Sequence, residues 1–349
     1  MLLASCPEPA TDGWYFDPSR STEEMYGRRV SMWCEDDFAP EHRAQRAALD
    51  PNYHWHYSLS RQMFQDELVT DVLEGCRHRG QNPFPWVVFT AGPMGAGKGY
   101  TVRWMEDNGY FPKDHFVIVD PDEIRRNLPE WEEYVLRDPS TAGAKTQKEA
   151  CLLAELCTLR ALQSRRNIVI DGSLRDAEWH VGYFARLRKA FPGVRIAIIH
   201  VTAPVENIKA NVHHRFIVTG RMVPEERVLE SIQQVPQSVQ LLAPLTDVCC
   251  RVENNSMAGS PELEREPSSL NPPSDVELNW SFFTSLWQTT TLGGDDEGKL
   301  SEGALEIAIR KGIVRKTTVR SMDLHGRKRV STLELEKALR LAAVGSLRE

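Results

Sequence analysis

Short apolar runs alternate with helical patterns over the middle of the chain. Five runs carry apolar residues on both faces, which predicts the strands of a parallel sheet covered on each side. They lie at 86–91, 116–119, 167–170, 194–199 and 248–252. Apolar spacing close to 3.6 residues predicts amphipathic helices at 59–73, 149–163 and 226–241. Together these elements predict an α/β fold with helices on both faces of a five-stranded parallel sheet.

Composition shifts divide the chain into four parts. Residues 1–54 are rich in Trp, Tyr, Pro and Asp without clear periodicity and form an N-terminal extension, and residues 55–253 hold the predicted sheet. The segment 254–275 reads NNSMAGSPELEREPSSLNPPSD. Since it has little to bury, we expect 254–277 to be an exposed, flexible linker. Residues 278–349 are again helical in pattern and are expected to form a small all-α module.

Charge and cysteine content narrow the functional classes. Lys and Arg number 42 against 49 Asp and Glu in the 349 residues, a net charge of −7, so no global field attracts nucleic acid or an anionic membrane. The seven cysteines form no CxxC pair, which argues against a disulfide framework and a zinc site. Because no stretch reaches the roughly 18 apolar residues of a membrane span, we expect a cytoplasmic protein without nucleic-acid or membrane partners.

A glycine-rich motif follows the first predicted strand. Residues 92–101 read GPMGAGKGYT, which fits the GxxxxGK pattern of a phosphate-binding loop, or P-loop. Glycines let backbone N–H groups converge on a phosphate, and the following helix presents its positive end to the same anion. We therefore expect ATP or GTP to bind here, through Gly92, Gly95, Ala96, Gly97, Lys98, Gly99, Tyr100 and Thr101.

Position 99 departs from the usual P-loop. The residue after the lysine is commonly Ser or Thr, whose hydroxyl binds Mg²⁺, whereas this chain has Gly99. Thr101 lies two positions further along and is the replacement ligand that the sequence suggests. The missing hydroxyl predicts weakened metal affinity.

Acidic residues follow the second and third predicted strands. Asp120 and Asp122 lie in VDPDEIRR (119–126), and Asp122 is the better placed to accept a proton from an attacking hydroxyl. The alternative is that one of the two only caps a helix. Asp171 ends the third strand and is expected to serve the metal or the substrate. Glu149 begins a long helix, where a stabilising charge at the helix end is about as plausible as a substrate contact.

Two arginines follow the fourth predicted strand. Arg215 and Arg221 lie six residues apart in NVHHRFIVTGRMVP (211–224), across a Thr-Gly break. Planar guanidinium groups can hold a transferring phosphoryl group from several sides. The segment is therefore predicted to act as a lid.

These motifs together resemble the zeta-toxin family of P-loop kinases. The resemblance covers about residues 55–253 and is carried by GPMGAGKGYT, VDPDEIRRNLPEW (119–131), KEA (148–150), NIVIDGSLRD (167–176) and TGRMVP (219–224). It implies that Lys98 holds the β- and γ-phosphates, that Asp122 is the general base and that Arg215 and Arg221 clamp the γ-phosphate. It further implies that Glu149 and Asp171 lie near a sugar substrate, which in the founding members is UDP-N-acetylglucosamine.

The C-terminal segment resembles a degenerate pair of EF-hands. The two loops would be 293–304 and 323–334, and several calcium-ligand positions in them hold Gly, Ala, His, Arg or Lys. We expect the pair to serve packing or a protein partner rather than calcium binding.

The favoured function is phosphoryl transfer from ATP or GTP, with Mg²⁺, to a hydroxyl of a small molecule. One alternative is a polynucleotide or nucleoside 5′-hydroxyl kinase, which the acidic charge balance disfavours. Another is a nucleotide-binding scaffold without turnover, which Gly99 favours.

Overall fold

The computed structural model describes residues 16–30, 32–77, 80–219, 223–255, 259–269 and 277–288. Within these residues a six-stranded sheet carries helices on both faces, and two short strands pair separately. No described helix has both the length and the apolar character needed to cross a membrane. The strands are β1 (Gly27–Arg28), β2 (His56–Tyr57), β3 (Trp86–Ala91), β4 (Phe116–Val119), β5 (Asn167–Ile170), β6 (Arg195–Thr202), β7 (Val248–Glu253) and β8 (Glu262–Arg265). The helices are α1 (Thr22–Tyr26), α2 (Arg43–Ala47), α3 (Leu59–Glu74), α4 (Lys98–Asp107), α5 (Pro121–Arg126), α6 (Trp131–Arg137), α7 (Pro139–Lys145), α8 (Gln147–Gln163), α9 (Ala177–Ala190), α10 (Val205–Thr219), α11 (Glu225–Leu242) and α12 (Trp280–Gln288).

The strand order of the large sheet is β4-β5-β3-β6-β7-β8, and its first five strands are parallel. Val88 on β3, for example, pairs with Val169 on β5 and Ala197 on β6. The predicted parallel sheet with helices on both faces is therefore confirmed. Because β4, β5 and β3 are neighbours, the segments that follow their carboxyl ends meet at one edge of the sheet.

The two faces of the sheet are packed differently. One face buries β-strand residues such as Val87, Phe89 and Ile198 against α3, α8, α9 and α11. The other face buries Val88 and Val201 against α4 and α12, in a core rich in aromatic rings. Both faces of β3 are thus apolar, as its continuous burial requires.

The predicted linker at 254–277 is partly wrong, because part of it belongs to the sheet. Strand β8 pairs antiparallel with β7, with Leu263 opposite Val252. Leu263 packs against the aromatic core, and Glu264 on the other face of the strand forms an ion pair with Arg251. The sequence did not indicate this strand because the segment as a whole is polar, and only four of its residues, 262–265, form the edge strand.

Helix α12 corrects the predicted start of the C-terminal module. It lies within 278–349, yet Phe283 and Trp287 are buried in the aromatic core of the sheet. The ring centroids of Trp287 and Trp86 on β3 are 5.1 Å apart. The first helix after the linker is therefore part of the main domain. Both predicted EF-hand-like loops lie outside the described residues.

Part of the N-terminal extension also packs on the main domain. Leu49 is buried in the core on the α8 side. The buried Arg46 on α2 forms an ion pair of 2.5 Å with Asp66 on α3 and donates to Gln65 at 2.8 Å. Residues 43–49 thus pack on α3 and α8 instead of extending away from them.

Candidate functional site

The glycine-rich motif forms the turn between β3 and α4, and three of its four glycines are required by the backbone. Gly92, Gly95 and Gly97 have φ values of 155°, 88° and 82°. A Cβ at Gly92 would lie 2.6 Å from the carbonyl oxygen of Val201, and one at Gly95 would lie 2.5 Å from that of Ile208. Since the N–H groups of the first turn of a helix have no partner within the helix, the turn presents donors suited to a phosphate.

Lys98 begins α4 and lies between the loop and the acidic residues. Its Nζ donates to the carbonyl oxygens of Gly92 at 3.1 Å and Pro93 at 3.4 Å. Burial lowers the pKa of the Lys98 amine, while the carboxylates of Asp171 and Asp122 act in the opposite direction. The loop lysine and the predicted acidic residues thus share one electrostatic site.

The two aspartates after β4 have different partners. Asp120 caps α5, since its Oδ1 accepts from the N–H of Asp122 at 2.7 Å. Burial raises the pKa of Asp120, and the carboxylates of Asp171 and Asp122 raise it further. Asp122 lies 3.3 Å from Arg125 and 3.3 Å from Arg215, and its side chain is 31% exposed. The capping alternative therefore applies to Asp120, and Asp122 is the carboxylate that meets the predicted lid arginine.

Asp171 lies next to the end of β3. Thr90 Oγ1 donates to Oδ1 of Asp171 at 2.7 Å, and the backbone N–H of Asp171 donates to the carbonyl oxygen of Val119 on β4. The half-buried carboxylate also interacts with the Lys98 amine. This position suits a group that holds a metal ion beside bound phosphates, and that role remains a prediction.

Thr101 does not fit its predicted metal role. The residue is fully buried on the inner side of α4, and its hydroxyl has no hydrogen-bond partner among the described residues. Gly99 is exposed, and a Cβ added there would meet nothing within 4 Å. The exposed Tyr100 lies between them. Neither position 99 nor position 101 therefore supplies a hydroxyl to Mg²⁺, and Asp171 remains the fitting ligand.

Glu149 does not have the substrate-facing position that the family resemblance implies. It is completely buried, and its two oxygens accept hydrogen bonds from Arg61 at 2.7 and 2.9 Å. Gln65 also donates to Oε1 at 2.7 Å, and Arg61 makes a second bidentate contact, to Glu130. Burial lowers the pKa of Arg61, but the two glutamates outweigh it and raise that pKa above its ordinary value. Glu149 is therefore a structural charge in a buried network.

The arginine segment is described only in part. Arg215 lies on α10, whereas Arg221 lies within 220–222, outside the described residues. The exposed Arg215 contacts Oδ2 of Asp122 and Arg125 contacts Oδ1, and Arg125 also donates to Gln147 on α8 at 2.7 Å. Sequence reasoning missed Arg125, although its spacing of three residues from Asp122 on one helix could have indicated the ion pair.

Two asparagines outside the motif also contact the loop. Asn211 on α10 donates from Nδ2 to the carbonyl oxygen of Gly95 at 2.8 Å. Asn254, directly after β7, donates to the carbonyl oxygen of Ala96 at 2.9 Å. They lie more than a hundred residues from the loop in sequence, so no local pattern could have identified them.

Comparison with known proteins agrees with this geometry. The family model described as zeta toxin matches residues 70–258, more than half of the chain. The chain belongs to the zeta toxin family. The match contains the P-loop, Asp122, Asp171 and Arg215 of this zeta toxin family member, whereas β8 and α12 lie beyond it. The resemblance stated from the motifs is therefore confirmed, and the EF-hand-like part gains no support.

Three solved structures are similar to this zeta toxin family member. The PezAT chromosomal toxin-antitoxin system of Streptococcus pneumoniae is 14% identical with a TM-score of 0.47, and the alignment covers 71% of this chain and 93% of that chain. AvrRxo1-ORF1:-ORF2 with ATP is 14% identical with a TM-score of 0.48, covering 70% and 75%. AvrRxo1-ORF1:AvrRxo1-ORF2 with sulphate ions is 13% identical with a TM-score of 0.48, covering 92% and 94%. No curated protein matches the chain.

Proposed function

We propose that this protein is a kinase that transfers the γ-phosphoryl group of ATP or GTP to a hydroxyl of a small molecule. A nucleotide sugar such as UDP-N-acetylglucosamine is the first acceptor to test, because the zeta toxin family implies it. One observation carries the proposal: Arg215 lies 3.3 Å from Asp122, and both interact with the Lys98 amine beside the P-loop. Lys98 as a cation for phosphate, Asp122 as a carboxylate that can accept a proton, and the long side chain of Arg215 thus lie close together.

The chain supplies the binding part of this reaction from its backbone and Lys98. The loop N–H groups and the N-terminus of α4 bind the phosphates, and the Lys98 amine neutralises charge on the outer ones. Bound Mg²⁺ would supply further neutralisation of the phosphates, and Asp171 is the residue that would hold it. These residues also orient the γ-phosphorus towards Asp122.

Asp122 and Arg215 supply the chemical part. Asp122 accepts the proton of the acceptor hydroxyl while the hydroxyl oxygen bonds to the γ-phosphorus. The bond from that phosphorus to the bridging oxygen breaks, and the nucleoside diphosphate leaves with the electron pair. Arg215 stabilises the negative charge on the transferring group, which requires it to exchange its contact with Asp122 for one with the phosphoryl oxygens.

A labelling experiment tests this proposal. The protein is incubated with γ-labelled ATP and a panel of nucleotide sugars, and in parallel with a metabolite extract whose labelled products are identified by mass spectrometry. We expect a labelled product that carries the phosphate on a hydroxyl. The Asp122→Asn variant is the negative control, and equal labelling by that variant would contradict the assignment of the base.

A nucleotide-binding scaffold without turnover is the second candidate, because Gly99 carries no hydroxyl and the Thr101 hydroxyl is buried. The same experiment distinguishes it from the kinase. Intact ATP affinity with no labelled product in any mixture would favour the scaffold. Loss of ATP affinity in Lys98→Ala is expected for both candidates.

A further inference from the structure

Two side-chain amides from distant parts of the chain hold consecutive carbonyl groups of the P-loop. Asn211 Nδ2 donates to Gly95 O at 2.8 Å, and Asn254 Nδ2 donates to Ala96 O at 2.9 Å. Neither residue belongs to the P-loop motif, and neither Gly95 nor Ala96 has a polar side chain of its own to perform this task. The contacts therefore have to be explained by what they do to the loop backbone.

Planarity of the peptide bond gives these contacts their consequence. In a trans peptide the C=O of one residue and the N–H of the next lie in one rigid plane and point in opposite directions. Fixing Gly95 O and Ala96 O against the two amides therefore fixes the directions of the Ala96 and Gly97 N–H groups. Ala96 N–H donates within the turn, to Pro93 O at 3.1 Å, and the Gly97 N–H is directed away from Asn254. A loop with three glycines has many other conformations, which these anchors exclude.

The two anchors have different supports. Asn254 is 2% exposed, and its backbone N–H donates to Thr202 O on β6 at 2.7 Å, so it is fixed to the sheet. A Cβ at Gly97 would collide with its amide, which shows how closely the two residues pack. Asn254 is thus a rigid anchor behind the loop.

Asn211 belongs to the arginine helix. It precedes Arg215 by four residues, which places both side chains on the same face of α10. The same helix packs on the loop through Ile208 and Val212, which limit the space at Gly95. One face of α10 therefore touches the P-loop at Asn211 and the predicted base at Arg215.

We propose that Asn254 and Asn211 are positioning residues that hold the P-loop backbone in one conformation for phosphate binding, and that Asn211 couples the loop to the helix that carries Arg215. This inference rests on the nucleotide binding in the proposed function and does not require turnover. The ligand class is a nucleoside di- or triphosphate. Pre-organisation of the loop by the amides lowers the entropy that binding would otherwise lose.

Calorimetric affinities for ATP and ADP test the inference on the full chain. Asn211→Asp keeps the side-chain shape but removes the N–H donor, and Asn211→Ala removes the amide. We expect each variant, and Asn254→Ala, to weaken ATP and ADP binding by about 3- to 10-fold, the value of one hydrogen bond. Asn211→Gln keeps the donor and should bind more tightly than Asn211→Ala. His214→Ala, an exposed change on the same helix, should leave the affinity unchanged.

Thermal unfolding without nucleotide accompanies each measurement. Should Asn254→Ala fail to fold, the half-buried Asn211 variants still decide the question. Wild-type affinity in both Asn211→Ala and Asn211→Asp would overturn the inference while leaving the proposed function intact. So would equal losses in Asn211→Gln and Asn211→Ala, because the amide donor would then be irrelevant. A wild-type protein that binds no adenine or guanine nucleotide would overturn the proposed function, and this inference with it.

Discussion

On the nucleotide side of the site the geometry comes from the backbone of one run of ten residues, whereas on the acceptor side it comes from side chains on separate elements. The loop at 92–101 is shaped by the positive φ of Gly92, Gly95 and Gly97. Asp122, Asp171 and Arg215 instead project from α5, from the end of β5 and from α10. The first kind of site is determined locally, and the second depends on how distant elements pack.

This difference separates the effects of substitutions. A change in the loop or in its supports should alter nucleotide affinity, because the phosphates are held there before any chemistry. A change at Asp122 should alter turnover and leave that affinity largely intact. A change at the buried Glu149 should alter stability instead, because its charge is engaged within the protein.

The largest expected effect is that of Asp122→Asn on turnover. Asparagine keeps the size of the side chain but cannot accept the proton, so the rate with a cognate acceptor should fall by about 10²- to 10⁴-fold. ATP affinity, measured by calorimetry, should change by less than about threefold, since loop hydrogen bonds are untouched. Glu123→Gln, at the exposed neighbouring position, is the matched control. A similar rate loss in both variants would remove the special role of Asp122.

The sequence predicted the nucleotide side well for the same physical reason. The strand, the glycines and Lys98 are contiguous, so their spacing alone implied a glycine-rich turn between a strand and a helix, and the structure has that turn at the end of β3. The five parallel strands could be predicted equally well from the sequence, because each is a short apolar run buried on both faces of the sheet. Elements whose signal is local and repeated are the ones that a single sequence reveals.

The acceptor side could be predicted only as a set of residues. Asp122 and Arg215 were identified, but their direct contact depends on the packing of α10. Glu149 was misplaced because its partner Arg61 is 88 residues away, and a first-turn charge looks the same whether it faces substrate or core. On the nucleotide side, Thr101 was misplaced because the helical turn after Lys98 directs its side chain inward. Tertiary packing, not motif spacing, decided the placement of Arg215 beside Asp122 and of Glu149 beside Arg61.

Trp287→Ala should have the next largest effect, by weakening the support behind the nucleotide side. The Trp287 ring packs against Trp86, Phe111 and Phe116, on the sheet face that also carries α4. Replacing a buried tryptophan with alanine costs about 3–5 kcal/mol of unfolding free energy. Denaturant titration measures this loss, with Ser281→Ala, an exposed change on α12, as control. Unchanged stability would mean that α12 is not part of the domain core.

Glu149→Ala should destabilise the protein by about 3 kcal/mol, since it leaves the buried Arg61 with Glu130 alone. Denaturant titration again gives the value. If the residue is structural, the acceptor KM of the folded variant should stay close to that of the wild type. A large rise in acceptor KM with no loss of stability would restore the substrate contact that the family resemblance implies.

Gly99→Ser tests whether the nucleotide side lacks a metal ligand. Position 99 has open space around an added Cβ, so serine fits without strain. Its hydroxyl should lower the Mg²⁺ concentration that gives half of the maximal effect on ATP affinity by about tenfold. This is the scale of one added partner in a metal's ligand shell. Gly99→Ala is the matched control, because it adds the helix propensity without the hydroxyl. Equal changes in the two variants would show that the metal site is not limited by position 99.

The smallest expected effect concerns Glu23, whose carboxyl lies close enough to interact with Lys148 and Glu149 on α8. Burial raises the pKa of Glu23 from 4.5 to about 7. Because the folded protein keeps a proton that the unfolded chain has released, the contribution of Glu23 to stability falls as pH rises between about 4.5 and 7. Glu23→Gln should therefore flatten the decline of the thermal midpoint between pH 5 and 8, whereas the exposed Glu67→Gln on α3 should not. An unchanged pH profile in Glu23→Gln would mean that this carboxyl is solvated and ionised in the folded protein.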